Sequence, residues 1–157
     1  MNPPYDAITI AKYLIKKAKE DKVKDLTNLK LQKILYYAQG WYLANNNKKL
    51  FSDQICAWKL GPVVRSVYDL FSNNGNRPID MNVNANDVSE LDQNTKKFLD
   101  TLWKVYKNMN GAELVTYTHQ EKPWKEAWSK RNDKDYEDDV ISADSIKEYF
   151  ESKLKNG

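Results

Sequence analysis

The chain has 157 residues, of which 41% are hydrophobic and 12% aromatic, so it can bury a core and is not a disordered linker. It contains only five glycines and five prolines, too few for the many tight turns of a β-sandwich or β-barrel. No run approaches the ~20 uninterrupted apolar residues of a membrane-spanning helix, and the N-terminus lacks a signal-peptide pattern. We therefore expect a cytoplasmic, mainly α protein. A single compact helical domain over residues 1–157, with about six helices and room for a short two-stranded β element, fits this composition.

The charge balance argues against sequence-specific nucleic-acid binding. Lysine and arginine total 25 and aspartate and glutamate 22, which gives a net charge of +3. Only Arg65, Arg77 and Arg131 are arginines, and arginine is the side chain that contacts phosphate and guanine bidentately. The lysines are interpreted as solvated surface. The lone cysteine, Cys56, excludes an internal disulfide. With His119 as the lone histidine, the chain has too few ligands for a conventional zinc site, so no metal is expected.

The first predicted helix is a surface helix with one buried stripe. Asp6 is placed to cap its free amides. The charged segment 21–25 ends it. Its apolar residues at helical spacing are Ala7, Ile10, Ala11, Leu14 and Ala18, and the lysines on the opposite face are Lys12, Lys16 and Lys19.

The second predicted helix begins after Thr27, whose hydroxyl can cap it, and runs to about Ala44. Its apolar residues surround most of the helix, so we expect it in the middle of the fold with neighbours on several sides. Gly40 costs about 1 kcal/mol relative to alanine inside a helix. This glycine therefore predicts a close crossing with another segment.

Between the second helix and the C-terminal half the pattern is less regular. Residues 54–60 predict a short extended stretch. Gly61 permits a tight turn and Pro62 suits the first position of a helix, which Asn73 to Gly75 would end. The alternation of Ile79, Met81 and Val83 is typical of one edge strand.

The C-terminal half predicts four helical segments. A helix over about residues 93–109 would bury Phe98, Leu99, Leu102, Val105 and Tyr106, with Gly111 as its stop. A shorter helix over 112–118 follows, and Pro123 restarts a helical turn carrying Trp124, Ala127 and Trp128. After an acidic loop over 131–139, Ser142 caps the last helix, with Ile141 and Ile146 forming a hydrophobic staple.

The sequence offers little support for catalysis. Cys56 and His119 form the one possible nucleophile and base pair, but no recognisable motif surrounds either. Cys56 is instead interpreted as a small buried apolar residue, and His119 as a hydrogen-bonding residue that fastens the loop before Pro123. The glycines are too scattered for a phosphate-binding loop. Paired carboxylates such as Asp138 and Asp139 lie in a charge run typical of solvated surface.

The aromatic content is the more unusual feature, with five tryptophans and ten tyrosines. Trp41, Trp103 and Tyr106 lie on helical stripes and are interpreted as core residues. Trp58 precedes Gly61 and Pro62, and Trp124 follows Pro123. Both therefore stand at the predicted starts of helices, where a ring can be presented to a partner. For these two, core and interface remain open alternatives.

Four segments together carry a resemblance to a known family. They read LQKILYYAQGWYLA from Leu31, AWKLGPVVRSVYDLF from Ala57, ELVTYTHQEKPWKEAW from Glu113 and ISADSIKEYF from Ile141. The matching positions are Gln32, Tyr36, Gly40, Phe51, Ala57, Trp58, Gly61, Pro62, Val63, Tyr68, His119, Pro123 and Trp124. Over about residues 8–150 the chain resembles the Panacea domain family of SocA-like and phage-associated GepA-like antitoxins.

This resemblance implies a mainly helical bacterial or prophage antitoxin that neutralises a separately encoded toxin by binding it, with no enzymatic activity and no cofactor. Neutralisation by masking the toxin and by delivering it to a cellular protease both remain open, as does the oligomeric state. No separate DNA-binding domain is expected, because the resemblance begins within about ten residues of Met1. The expected partner-binding residues are Trp58, Gly61, Pro62, Val63, Tyr68, His119, Pro123 and Trp124.

Two other classes of function are kept as alternatives. The lysine face of the first helix could bind nucleic acid without sequence preference, with an affinity that falls steeply with salt. An enzyme using His119 and nearby carboxylates is the third possibility, and the sequence favours it least.

Overall fold

The computed structural model describes residues 2–130 and 139–156 and shows a mainly α fold, as predicted. In this part of the chain a small three-stranded sheet accompanies seven α-helices, where about six helices and two strands were expected. This part also contains two 3₁₀ helices, Asp69–Asn74 and Ala85–Val88. The elements are α1 (Ala7–Glu20), α2 (Asn28–Asn46), β1 (Ile55–Trp58), β2 (Gly61–Val63), α3 (Arg65–Tyr68), α4 (Gln93–Tyr106), α5 (Gly111–His119), α6 (Lys122–Ser129), β3 (Val140–Ile141) and α7 (Ala143–Asn156).

Helix α2 is the centre of the fold. The Thr27 hydroxyl accepts a hydrogen bond from Lys30 N at 3.2 Å, which confirms the predicted cap. Nearly every residue from Asn28 to Leu43 is buried, and α1, α4, α5, α7 and β2 all pack on this helix. A helix that is apolar on most sides needs neighbours on most sides, so the predicted central position is confirmed.

Gly40 is the point where α7 crosses α2. A Cβ atom at this position would lie 2.3 Å from Cε2 of Phe150, closer than two carbon atoms can approach. The Phe150 ring also packs edge-on against Trp41, with ring centroids 4.8 Å apart. The close crossing that Gly40 predicts is therefore confirmed, and its partner is the last helix.

Helix α1 buries the predicted stripe but is capped differently from the prediction. Asp6 occupies the N-cap position, yet its side chain makes no capping hydrogen bond. Instead, Ala7 N donates to Asp53 Oδ1 at 2.8 Å, so a residue 46 positions away satisfies the helix start. The carboxylate that caps α1 therefore belongs to Asp53, and the residues near the start of the helix could not have indicated it.

The sheet corrects the prediction for the Gly61–Pro62 segment. Strand β1 pairs with β2 as an antiparallel hairpin, in which Ala57 lies opposite Pro62, and with β3 on its other side. Pro62 is therefore a strand residue and not the first residue of a helix. Proline has no N–H to donate, and β2 is an edge strand, which is the place in a sheet where proline is tolerated. The helix that follows begins only at Arg65.

Two further predictions are wrong. Ile79, Met81 and Val83 form no strand; they are partly buried against the core, and Ile79 N donates to Leu26 O at 2.8 Å. Val105 is 55% exposed rather than buried, while its neighbour Trp103 is fully buried.

The ends of the C-terminal helices differ from prediction by a few residues. Helix α4 ends at Tyr106 rather than at Met109, and Gly111 begins α5 instead of stopping α4, because Asn110 caps α5. Ser142 Oγ accepts from Ser145 N at 3.1 Å, as predicted for the start of α7. The expected acidic loop lies outside the described residues except for Asp139. Across residues 2–130 and 139–156, every helix is too short or too polar to traverse a lipid bilayer.

We predict that Gly40→Ala lowers the free energy of unfolding by about 1–3 kcal/mol, because the added methyl group overpacks the contact with Phe150. Urea unfolding measures this loss. Gly40→Ala combined with Phe150→Leu is the matched control, since a smaller side chain opposite the added methyl group should make the two losses less than additive. A Gly40→Ala protein as stable as the original would contradict the close packing.

Candidate partner-binding site

The β1–β2 hairpin gathers the eight predicted partner-binding residues into one region. Trp58, Gly61, Pro62 and Val63 belong to the hairpin itself. Tyr68 from α3 packs edge-on against Trp58, with ring centroids 4.8 Å apart. The other three residues, His119, Pro123 and Trp124, come from the end of α5 and the start of α6.

His119 and Trp124 fasten the hairpin turn by hydrogen bonds to its main chain. The imidazole Nε2 of His119 lies 2.9 Å from Lys59 O, and the indole N–H of Trp124 donates to Trp58 O at 2.8 Å. The two rings also pack together with centroids 4.3 Å apart. His119 is thus a hydrogen-bonding residue that fastens a loop, although the loop is the hairpin turn rather than the segment before Pro123.

Gly61 is required at the turn for two independent reasons. Its φ of +108° lies in the region that residues with a side chain rarely adopt. A Cβ atom there would also lie 2.7 Å from Cε of Lys33 and 2.8 Å from Oγ1 of Thr118. The hairpin therefore lies directly against α2 and α5, and only a glycine allows this contact.

Lys33 is a fully buried lysine beneath the hairpin. Its Nζ donates to Pro62 O at 2.9 Å. Burial disfavours the charged ammonium and lowers the pKa of Lys33 to about 7. A side chain that is normally solvated therefore forms part of the interior support of β2.

Gln32 and Asn28 extend this support from the same face of α2. Gln32 Oε1 accepts from Val64 N at 2.9 Å, and its amide nitrogen donates to Asn28 Oδ1 at 2.8 Å. Asn28 Nδ2 in turn donates to Tyr68 O at 3.1 Å. These bonds fix the chain from β2 into α3, and with it the ring of Tyr68.

Trp58 lines two surface cavities. The first, of about 390 Å³, lies between α2, the hairpin and the segment after α3, and it is lined by Leu29, Lys33, Trp58, Leu60 and Tyr68 among others. The second, of about 400 Å³, is lined by Trp58 together with Arg65, Asp69, Trp128 and Asp139 among others. The half-buried indole therefore borders both cavities and remains partly accessible.

The predicted residues divide into a buried frame and an accessible face. Gly61, Pro62, Val63, Pro123 and Trp124 are buried, whereas Trp58, Tyr68 and His119 are half-buried. Leu60 at the tip of the turn is 52% exposed, and sequence analysis did not select it. If the strand at Gly61 had been predicted, Leu60 would have fallen in a two-residue hairpin turn, and this position would have indicated that it is exposed.

Two observations bear on whether the described part of this region could act in metal binding or catalysis. Among residues 2–130 and 139–156, no cluster of three or more histidine, cysteine, aspartate or glutamate side chains could hold a metal ion. Cys56 lies in the central strand, and its burial raises the thiol pKa, the opposite of an activated thiolate. The half-buried Glu121 accepts a hydrogen bond from Tyr37 at 2.8 Å, and burial raises the pKa of its carboxyl group.

Lys33 is a second residue of this region, besides Leu60, that sequence analysis did not select. Lysines were interpreted as solvated surface, which holds for Lys59 but not for Lys33 or Lys30. Lys30 is equally buried, and its Nζ donates to Asp25 Oδ1 at 2.8 Å and to Lys107 O at 2.6 Å. The sequence feature that could have indicated the burial of Lys30 and Lys33 is their position in a helix that is apolar on most sides. A central helix leaves few positions for a solvated lysine.

We predict that Trp124→Phe removes one hydrogen bond from the hairpin and lowers stability by about 1 kcal/mol. Amide hydrogen exchange in residues 55–63 should become faster, because the ring still packs but no longer donates to Trp58 O. Trp103→Phe is the matched control, since it loses an indole bond of the same length, to Asp21 Oδ2, on α4. Trp103→Phe should lower stability without a selective increase in amide exchange of residues 55–63. Equal increases in the two variants would show that the Trp124 bond does not specifically hold the hairpin.

The low pKa of Lys33 predicts a pH dependence of stability. The folded protein releases the Lys33 proton near pH 7, whereas the unfolded chain holds it to about pH 10, so stability rises with pH across this window. Between about pH 7.5 and about pH 9.5, the unfolding free energy should rise by ~2 kcal/mol more in the original protein than in Lys33→Met. Lys33→Gln also cannot titrate and should behave like Lys33→Met. Parallel pH profiles for all three proteins would show that Lys33 does not titrate in this window.

Comparison with known proteins assigns the chain to a family. A family model described as "Antitoxin SocA-like, Panacea domain" matches residues 31–125, which include the hairpin and most of its supports. Antitoxin SocA of Caulobacter vibrioides (strain NA1000 / CB15N) is 30% identical to this chain, over 76% of this chain and 68% of that protein. No solved structure matches it. The chain therefore belongs to the SocA-like, Panacea-domain family of antitoxins.

Proposed function

We propose that this protein is an antitoxin that neutralises a separately encoded toxin by binding it directly, without catalysis. The family supports the antitoxin role. The observation that carries the binding mechanism is the half-buried Trp58, which lines two surface cavities and whose main chain and ring are held by Trp124 and Tyr68. Tryptophan and tyrosine are the residues that most often dominate the energy of a protein interface.

The toxin-contacting surface in this proposal consists of Trp58, Leu60, Tyr68 and His119. The buried residues of the predicted set, such as Gly61 and Trp124, shape this surface and do not touch the toxin. A standard interface removes roughly 800 Å² from each partner, so the toxin also covers neighbouring parts of the surface. One structural unit over residues 1–157 provides the interface and meets the toxin in the cytoplasm.

The charges of α1 do not favour the nucleic-acid alternative. Lys16 Nζ lies 2.7 Å from Glu20, and Lys17 Nζ lies 3.6 Å from Asp100. Lys19 Nζ donates to Asn82 at 2.6 Å. Lys19 Nζ also lies 4.0 Å from Asp80 Oδ1. Lysines that have carboxylates close by provide little net attraction for phosphates.

The contacts of His119 support a non-catalytic role. Its Nε2 is bound to a main-chain carbonyl, and its ring packs on Trp124, which is the environment of a structural side chain. Because a carbonyl oxygen only accepts, the Nε2 atom must carry the proton of the neutral ring, so this nitrogen cannot serve as a general base. The proposal accommodates masking of the toxin and delivery to a cellular protease, since both begin with the same complex.

Co-expression with the product of the adjacent gene tests the proposal. The antitoxin should relieve growth inhibition by that product and co-purify with it. Trp58→Ala should weaken the complex by about 30-fold, because a central tryptophan contributes about 2 kcal/mol or more. Failure to relieve toxicity together with failure to form a complex would overturn the antitoxin role.

Two further variants separate a binding defect from a folding defect. Leu60→Asp changes an exposed turn residue and should also weaken the complex while leaving the melting temperature unchanged. Val105→Ala is the matched control, since Val105 is 55% exposed on α4, away from the hairpin, and should bind as the original protein does. Equal losses for Leu60→Asp and Val105→Ala would exclude the hairpin as the interface.

A further inference from the structure

We propose that the cavity between α2 and the hairpin binds a protein segment in which an apolar side chain lies next to a carboxylate. The inference rests on the proposed function in one respect, namely that the toxin supplies this segment. It adds the chemistry of the contact, which the family does not indicate. We call this space the hairpin cavity; its walls are formed by residues of α2, the hairpin and the segment from α3 to Asn76.

The apolar part of the ligand follows from the walls. Leu29, Trp58, Leu60, Val63 and Tyr68 present aliphatic and aromatic surface to the hairpin cavity. Its volume of about 390 Å³ is within the range of sites that accept small ligands. Leu60 is 52% exposed at the rim, so an apolar group entering the cavity would remove this side chain from water as well.

The carboxylate follows from the charges. The charged residues that line the hairpin cavity are Lys33 and Lys59, and both are basic. The second cavity that Trp58 lines differs, because its lining combines Lys59 and Arg65 with Asp69 and Asp139. An anion is therefore favoured in the hairpin cavity and not in its neighbour.

The two lysines differ in what they can do for an anion. Lys59 is exposed at the turn and can move to contact a carboxylate directly. Lys33 is fixed beneath the hairpin by its bond to Pro62 O, and burial holds its pKa near 7. A carboxylate close by would favour the charged form of this amine, so binding of an anion would increase the positive charge on Lys33.

Binding of two small probes to the full chain tests the inference without the toxin. N-acetyl-leucine carries an apolar side chain beside a carboxylate, and N-acetyl-leucinamide is its uncharged counterpart. In a nuclear magnetic resonance titration, N-acetyl-leucine should bind with a Kd in the millimolar range and shift the signals of Trp58, Lys59 and Leu60. The amide should bind at least about fivefold more weakly, because it lacks the charge.

Matched lysine variants locate the charge effect. Lys59→Glu should remove the preference for the carboxylate, whereas Lys48→Glu, at an exposed lysine in the connection after α2, should retain it. Lys33→Met should reduce the preference without a change in the residues whose signals shift. Equal affinity for the two probes, or no shifts at about 20 mM ligand, would overturn the inference.

These outcomes are distinct from those of the proposed function. A toxin complex that forms while neither probe binds would leave the antitoxin role intact and refute the assignment of the hairpin cavity. Probe binding with no toxin complex would support the cavity chemistry and refute the toxin as its source. In a complex that does form, Lys59→Glu should weaken binding by at least about tenfold relative to Lys48→Glu.

Discussion

Three buried side chains of α2 hold the chain that follows it, and the candidate site depends on these hydrogen bonds. Gln39 accepts from Leu50 N and Phe51 N and donates to Phe51 O, so it pairs with the main chain before the sheet. Gln32 accepts from Val64 N, and Lys33 donates to Pro62 O. A buried main-chain group that loses its partner costs about 1–3 kcal/mol. The path from Leu50 to Val64 is therefore set by the central helix rather than by its own short strands.

These hydrogen bonds explain how the hairpin can be held rigid although its turn lies at the surface. An isolated two-stranded hairpin is marginally stable in water, and the two strands here contain four and three residues. Lys33 supports the hairpin from below, while His119 and Trp124 bind the turn from the side. Because Trp58 is already held in place, little side-chain and loop entropy remains to be lost when a partner binds. In the proposed complex, the buried polar network would thus contribute to affinity without touching the toxin.

The parts of the fold that local pattern determines were predictable, and those that depend on distant hydrogen bonds were not. The position of α2, the cap at Thr27 and the crossing at Gly40 follow from residues within the helix, and all three were predicted. The segment after Gly61 has a helical apolar period, so it was assigned to a helix from Pro62. The structure places a strand there because Gln32 and Lys33 bond to Val64 N and Pro62 O from about 30 residues away. No periodicity links residues about 60 positions apart. The grouping of His119 and Trp124 with the hairpin was therefore expected only from the family resemblance.

The span that matches the family model contains the hairpin and most of its supports but not all of the core. It begins at Leu31 and ends within α6, so α1 and α7 lie outside it. Yet α7 places Phe150 on Gly40, and α1 buries Ile10 and Leu14 in the same core. Without these two helices, two sides of α2 would face water, and a helix that is apolar on most sides is not stable under those conditions. The outer helices therefore support the site indirectly: they keep α2 buried, and a buried α2 is what holds Lys33 and Gln32 beneath the hairpin.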